Sequence, residues 1–191
     1  MSVRRTLLTL LLAAACAAAQ AKQEARLAPY VPTPEPVVEQ MLKLGGVKRG
    51  ERVFDAGSGD GRIVIMAASK YGADATGIEI DHELARKSAE RIKSLGLEKR
   101  ARIVEGDALL QDYSAADVVT VYLFPAANAR LRPIFEKQLR SGARVVAHDF
   151  PIPGWTSVRE QFIEDDGTGR SHTLYLYLIG PRPAASTPVE P

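Results

Sequence analysis

Between residues 52 and 150, short apolar runs alternate with stretches of helical period, each pair separated by a polar or glycine-bearing turn. On this pattern residues 53–56 form a short buried strand and residues 62–71 a mostly buried helix. Residues 75–80 make the second strand. Asp81 then caps a helix with Leu84, Ser88, Ile92 and Leu95 on one face and Gly96 at its end. Residues 102–105 and 117–123 are the next strands, the latter apolar enough for the middle of a parallel sheet. Residues 127–139 are helical in composition, with Pro133 marking a kink or a late start, and residues 143–150 form a fifth strand. The alternation then stops. Residues 158–163 and 173–179 are strand-like runs joined by Asp165-Asp166-Gly167-Thr168-Gly169, which reads as a hairpin.

Ahead of this region, Ala28-Pro29-Tyr30-Val31-Pro32-Thr33-Pro34-Glu35-Pro36 is held extended by its prolines and feeds a further helix. Thr33 is placed to cap it and Pro34 to take its first position; Val37, Val38, Met41 and Leu42 line its inner face and Gly45-Gly46 end it. Helical crossovers between five strands, followed by an antiparallel pair, predict an α/β fold. It is a Rossmann-like, doubly wound, seven-stranded sheet with an antiparallel C-terminal hairpin at a reversed edge, in a three-layer sandwich.

At 191 residues and 46% hydrophobic content, one domain is expected. The division is a leader at 1–21, a linker and N-terminal helix at 22–50, the main domain at 51–180, and a proline-rich, disordered tail at 181–191. The leader has Arg4 and Arg5, an apolar run from 7 to 19 too short for a comfortable span, and Ala19-Gln20-Ala21 suited to a signal peptidase. It predicts an exported protein, periplasmic or secreted, or one associated with a membrane through the leader. The lone Cys16 lies within it, as an ordinary small leader residue or, less simply, a lipidation site. Basic and acidic residues number 25 and 23, and two of the basic ones are in the leader. With no dense Lys/Arg run, nucleic acid is not favoured as a partner.

The chemistry concentrates in Val53-Phe54-Asp55-Ala56-Gly57-Ser58-Gly59-Asp60-Gly61-Arg62, a strand entering a glycine turn and then a helix. A dinucleotide fingerprint requires Gly-x-Gly-x-x-Gly, but here the third glycine arrives one residue early, at Gly61. A phosphate loop requires a terminal Gly-Lys-Ser/Thr, which is missing. Asp55, just before the glycines, would repel a pyrophosphate but suits a ligand ammonium. Glu79 is placed for ribose hydroxyls with Ile80 beside it, and Asp107, followed by Ala108, for an adenine amino group. Three acids at three successive strand ends suit a cofactor with a positive end and no phosphate, and S-adenosylmethionine is such a molecule. The cofactor-binding residues predicted from these motifs are Asp55, Ala56, Gly57, Ser58, Gly59, Gly61, Glu79, Ile80, Asp107 and Ala108.

The glycine motif, together with Pro29-Tyr30-Val31-Pro32-Thr33 and Gly142-Ala143-Arg144-Val145-Val146-Ala147-His148-Asp149-Phe150 with Trp155, resembles a family. It is that of the small lysine methyltransferases related to the mitochondrial enzymes that modify the ATP synthase c-subunit and the adenine nucleotide translocase. More distantly the chain resembles Dot1-type histone lysine methyltransferases. The likeness runs from about Pro29 to Ile179, and family members carry an N-terminal hydrophobic targeting segment. It implies a class I methyltransferase that N-methylates protein lysine, with Tyr30 and Thr33 in a lid over the methionine end of the cofactor. Tyr122, in Val121-Tyr122-Leu123-Phe124-Pro125, stands where such enzymes present an aromatic motif to the nucleophile. Tyr122 and Asp149 are the candidate catalytic residues and Trp155 a candidate channel wall. A small-molecule acceptor, such as a quinone or amine, and a non-catalytic binding module remain alternatives. His82, His148 and His172 are scattered along the chain and suggest no metal set. A monomer is expected.

Overall fold

The computed structural model describes residues 30–181. The leader read at 1–21 and the tail beyond 181 lie outside the described residues. Within them, no helix is long and apolar enough to cross a membrane. The elements in order are α1 (Glu35–Leu44), β1 (Arg52–Ala56), α2 (Arg62–Tyr71), β2 (Asp74–Glu79), α3 (His82–Ser94), β3 (Ala101–Glu105), a 3-10 turn (Ala108–Leu110), β4 (Val118–Val121), α4 (Pro125–Gln138), β5 (Arg144–His148), β6 (Arg159–Ile163) and β7 (His172–Leu178).

One seven-stranded sheet runs in the order β3-β2-β1-β4-β5-β7-β6. The first five are parallel, and β7 is antiparallel to both β5 and β6. The apolar strands β1, β4 and β5 sit centrally because helices cover both of their faces, and all of β4 is buried. One layer packs Val38, Met41, Val64 and Ala67 of α1 and α2 against the sheet, and the other packs Leu131 and Phe135 of α4 with Tyr113. Arg144 at the start of β5 fastens the end of α1, donating to the carbonyls of Gly45 and Gly46 and pairing with Glu51 at 2.6 Å.

The fold matches the doubly wound, three-layer expectation, with local corrections. The hairpin does not form a reversed edge: β7 inserts between β5 and β6, so the reversed strand is internal. The reason is composition, since β7 carries Leu174 and Tyr177 to bury, whereas Arg159, Glu160 and Phe162 of β6 are exposed. Thr33 does not cap α1. Pro34 holds the cap position with no side-chain bond, and the Thr33 hydroxyl turns inward to His148. In α3 the inner face is Ala85, Ser88 and Ile92; the helix ends at Ser94, so Leu95 leaves its period and is 52% exposed. α4 starts at Pro125, where no donor is needed, and continues through Pro133. β4 and β5 stop early enough to leave Tyr122 and Asp149 beyond the strand ends.

Candidate active site

A cleft of about 850 Å³, counted out into the solvent at its open mouth, lies across the carboxyl ends of β1, β2 and β3. Its floor is the turn after β1. Gly57 and Ser58 both donate their backbone N–H to the carbonyl of Ile78, at 3.0 and 2.8 Å. Gly59 donates to Glu79 Oε2 at 2.7 Å, and its carbonyl accepts from Ser88 Oγ at 2.8 Å. Gly61 donates to the Ser58 carbonyl. The N–H groups of Gly57, Ser58, Gly59 and Gly61, which a phosphate-binding loop would offer to its ligand, are therefore spent within the protein itself. That agrees with the phosphate-free ligand predicted from the glycine spacing.

Glycine is required at two of these positions. Gly59 has φ +55°, and a Cβ there would come within 2.6 Å of the Tyr30 ring, which lies over the loop. Gly61 has φ +74°, and a Cβ would press on Ser88 at 3.2 Å. Arg62 is a site residue that the sequence reading does not include. Its guanidinium grips Asp60 with Nε and Nη2, at 2.9 and 2.7 Å, and donates from Nη1 to the Thr33 carbonyl at 2.7 Å. The segment 30–33 is thereby fastened to the glycine loop. The signal is present in the chain, since Arg62 follows the last glycine where the helix begins.

The three strand-end acids converge as expected. Asp55 is buried and accepts from Thr120 Oγ1 at 2.7 Å; burial pushes its carboxyl up to about 7, and the nearby Glu79 and Asp60 add to this. Glu79 is raised as well, chiefly by burial, and its second oxygen takes the N–H of Asp81. Asp107 caps the 3-10 turn through the N–H of Leu109, so it serves the fold while facing the cleft. Tyr30, Thr33, Gly57, Ser58, Ile80 and Ala108 also line the cleft. Ala56 and Gly61 do not: Ala56 is buried beneath the turn, and Gly61 packs on α3.

Tyr122 reaches the cleft from the end of β4. Its hydroxyl donates to Asp149 Oδ2 at 3.4 Å, and its ring stacks on His148 with centroids 3.8 Å apart. Asp149 stands behind this wall with φ 56°, the left-handed region, clamped to β7 by both its backbone N–H and Oδ1 at Thr173. Phe124 and Phe150, whose centroids are 5.5 Å apart, continue an aromatic rim beyond Tyr122. Trp155 is no channel wall. It is half-buried, packing its ring against Phe135 and Tyr177 at the edge of the core, and its Nε1–H donates to Glu136. The histidines are not all scattered either, for β5 and β7 bring His148 and His172 within 2.9 Å of each other. Burial pushes the His148 imidazole below its usual range.

Residues 55–159 match the family model described as the ANTKMT methyltransferase domain. A protein-lysine N-methyltransferase of Saccharolobus islandicus (strain REY15A) is 44% identical over 153 residues, 80% of this chain and 94% of that protein. The human lysine N-methyltransferase of the ATP synthase c-subunit is 36% identical over 128 residues, 67% of this chain, which spans only 54% of that protein. The crystal structure of an RNA methyltransferase from Salinibacter ruber in complex with S-Adenosyl-L-homocysteine is also similar. It has TM-score 0.73 and 41% identity, covering 84% of this chain and 100% of that one. A glycine turn whose Gly57, Ser58, Gly59 and Gly61 N–H groups are bonded within the fold, acids at successive strand ends and these matched residues lead to one family: the chain belongs to the ANTKMT methyltransferase domain family.

Proposed function

We propose that this enzyme methylates the ε-amine of a lysine in a protein, with S-adenosylmethionine as donor. The observation that carries the acceptor is the Tyr122–Asp149 pair at the cleft wall, flanked by the Phe124 and Phe150 rings. The lysine acceptor of the Saccharolobus relative supports the same reading. Asp55 would face the cofactor's ammonium, Glu79 its ribose, and Asp107 with Ile80 and Ala108 its adenine. Tyr30 and Thr33, fastened by Arg62, would close over the methionine end. The cofactor supplies a methyl group on a positively charged sulfur.

A lysine amine has an ordinary pKa of about 10.4 and must lose a proton before it can attack. The aromatic rim removes water and so favours the neutral amine. The oxygen of Tyr122, whose proton is directed to Asp149, accepts an N–H of that amine and aims its lone pair. The amine's lone pair forms the new N–C bond opposite the sulfur. The bound cofactor would keep the C–S bonding pair on its sulfur, and the lysine would leave as a methylammonium, so the single proton given up in the reaction is the one lost before attack.

RNA is the second reading, because the Salinibacter structure is described as an RNA methyltransferase. The balanced charge of this chain favours protein. A labelled-methyl assay on protein extract, total RNA and a set of amines and quinones, run in parallel, separates them. Label recovered as methyl-lysine, and reduced by about a hundredfold in Tyr122→Phe, supports the proposal. Label confined to RNA or to a small molecule overturns it.

A further inference from the structure

The two histidines that meet Asp149 behind Tyr122 are not explained by methyl transfer. Three polar atoms meet there: His148 Nε2 and His172 Nδ1 are 2.9 Å apart, His172 Nδ1 and Asp149 Oδ2 3.0 Å, and His148 Nε2 and Asp149 Oδ2 3.3 Å. An imidazole nitrogen is either a donor or an acceptor, never both at once. A proton on His172 Nδ1 serves two of the three edges but leaves His148 Nε2 and Asp149 Oδ2 facing each other as acceptors. A proton on His148 Nε2 leaves the lone pair of His172 Nδ1 against the carboxylate. Protons on both set two N–H groups head to head at 2.9 Å. With a carboxylate at Asp149, which already accepts from Tyr122 and Thr173, no arrangement of protons pairs all three edges.

A cation among them does. Ligand atoms lying about 2.0–2.2 Å from a divalent metal are separated by about 3 Å in octahedral and about 3.3 Å in tetrahedral geometry, which matches the edges of this triangle. The outer nitrogens are also held as metal-bound histidines usually are. His172 Nε2 faces Asp166 Oδ2 at 3.2 Å, and His148 Nδ1 faces Thr33 Oγ1 at 3.3 Å. Asp149 and Asp166 together bring two carboxylates to balance a divalent charge.

We propose that His148, Asp149 and His172 form a binding site for a divalent first-row transition-metal ion. Two imidazoles and one carboxylate select zinc, iron, cobalt or nickel over calcium and magnesium. The ion ties the end of β5 to the start of β7 and fixes the carboxylate that receives the Tyr122 hydroxyl. Its role is positional, and the proposal does not depend on which acceptor is methylated.

The test uses the full chain without an affinity tag, stripped with a chelator and then dialysed against Zn(II), Co(II), Ni(II) or Mg(II). Elemental analysis measures retained metal, visible absorption reads Co(II) coordination, and thermal unfolding reads stabilisation. The expected result is stoichiometric retention of at least one transition ion, with a raised melting temperature and no uptake of Mg(II). His172→Gln abolishes retention, whereas His82→Gln, at an exposed His82–Glu105 pair elsewhere, leaves it unchanged. Because His172→Gln could misfold, Asp166→Asn provides the second arm, with affinity falling by about tenfold through loss of the partner behind His172. The proposal is overturned if the stripped wild type retains none of the ions, or if His172→Gln retains them equally well; the three atoms then share a proton.

Discussion

Gly59 and Glu79 are joined by a 2.7 Å bond from the backbone N–H of one to the carboxylate of the other. The turn after β1 and the acid at the end of β2 are therefore one unit, since the other Glu79 oxygen holds the N–H of Asp81. Removing the carboxylate in Glu79→Ala strands both donors, at about 1–3 kcal/mol for each that stays buried. Cofactor affinity is expected to fall by at least about tenfold, with a lowered melting temperature. Glu79→Gln, which keeps one acceptor oxygen, lies between. Calorimetric titration alongside thermal unfolding checks this, and unchanged binding in Glu79→Ala would remove Glu79 from the site.

Asp55 makes binding depend on pH. Its folded-state carboxyl titrates near 7 because it is buried, and only the charged form attracts the cofactor's ammonium. Affinity is expected to rise from about pH 6 to about pH 8, with proton release on binding at the lower end. Stability of the free protein runs the other way. Below the unfolded value of 3.8 both states are protonated; between there and about 7 only the unfolded chain ionises, so stability is lost as pH rises and levels off above 7. Asp55→Asn is expected to bind no cofactor, yet to be more stable than the wild type at about pH 8, by up to about 4 kcal/mol, and so to unfold at a higher temperature. A flat affinity profile across this range would refute the assignment.

Arg62 holds segment 30–33 by a planar fork that lysine cannot copy. Arg62→Lys is expected to raise KM for the cofactor by about tenfold, the equivalent of one lost charged hydrogen bond. The kcat value and the melting temperature change little, because the latch lies on the surface side of the cleft. Steady-state kinetics with varied cofactor decide it; a fall in kcat alone would show that Arg62 acts elsewhere.

The leader read from residues 1–21 predicts a chain that sediments with membranes or is released with exported proteins. Fractionation with protease protection measures this directly. A soluble cytosolic chain that retains Met1 would rule out both forms of the expectation.

The glycine turn and its acids are legible in the sequence because their chemistry is local: each acid sits at or just beyond a strand end, and strand ends can be read from apolar runs. The spacing of Gly57, Gly59 and Gly61 already excludes a dinucleotide fingerprint, and the internal use of their N–H groups accords with a ligand that brings no phosphate to the turn. What the chain order hides is lateral. His148 and His172 meet only because β7 docks on β5, with His148 opposite Leu174, and no local pattern distinguishes that pairing from an edge hairpin. Trp155 departs from its expected place for a related reason. An aromatic residue after a Pro-Gly turn can face a cleft or a core, and Trp155 is packed, half-buried, against Tyr177 of the inserted strand.

The inserted strand also governs when the domain can form. β7 is the last element among the described residues, yet it lies between β5 and β6, so the sheet cannot close until it has been synthesised. While the polypeptide is still growing, β5 presents an open apolar flank and β6 has no neighbour. One late docking event then completes the sheet and brings Asp149 to its anchor at Thr173.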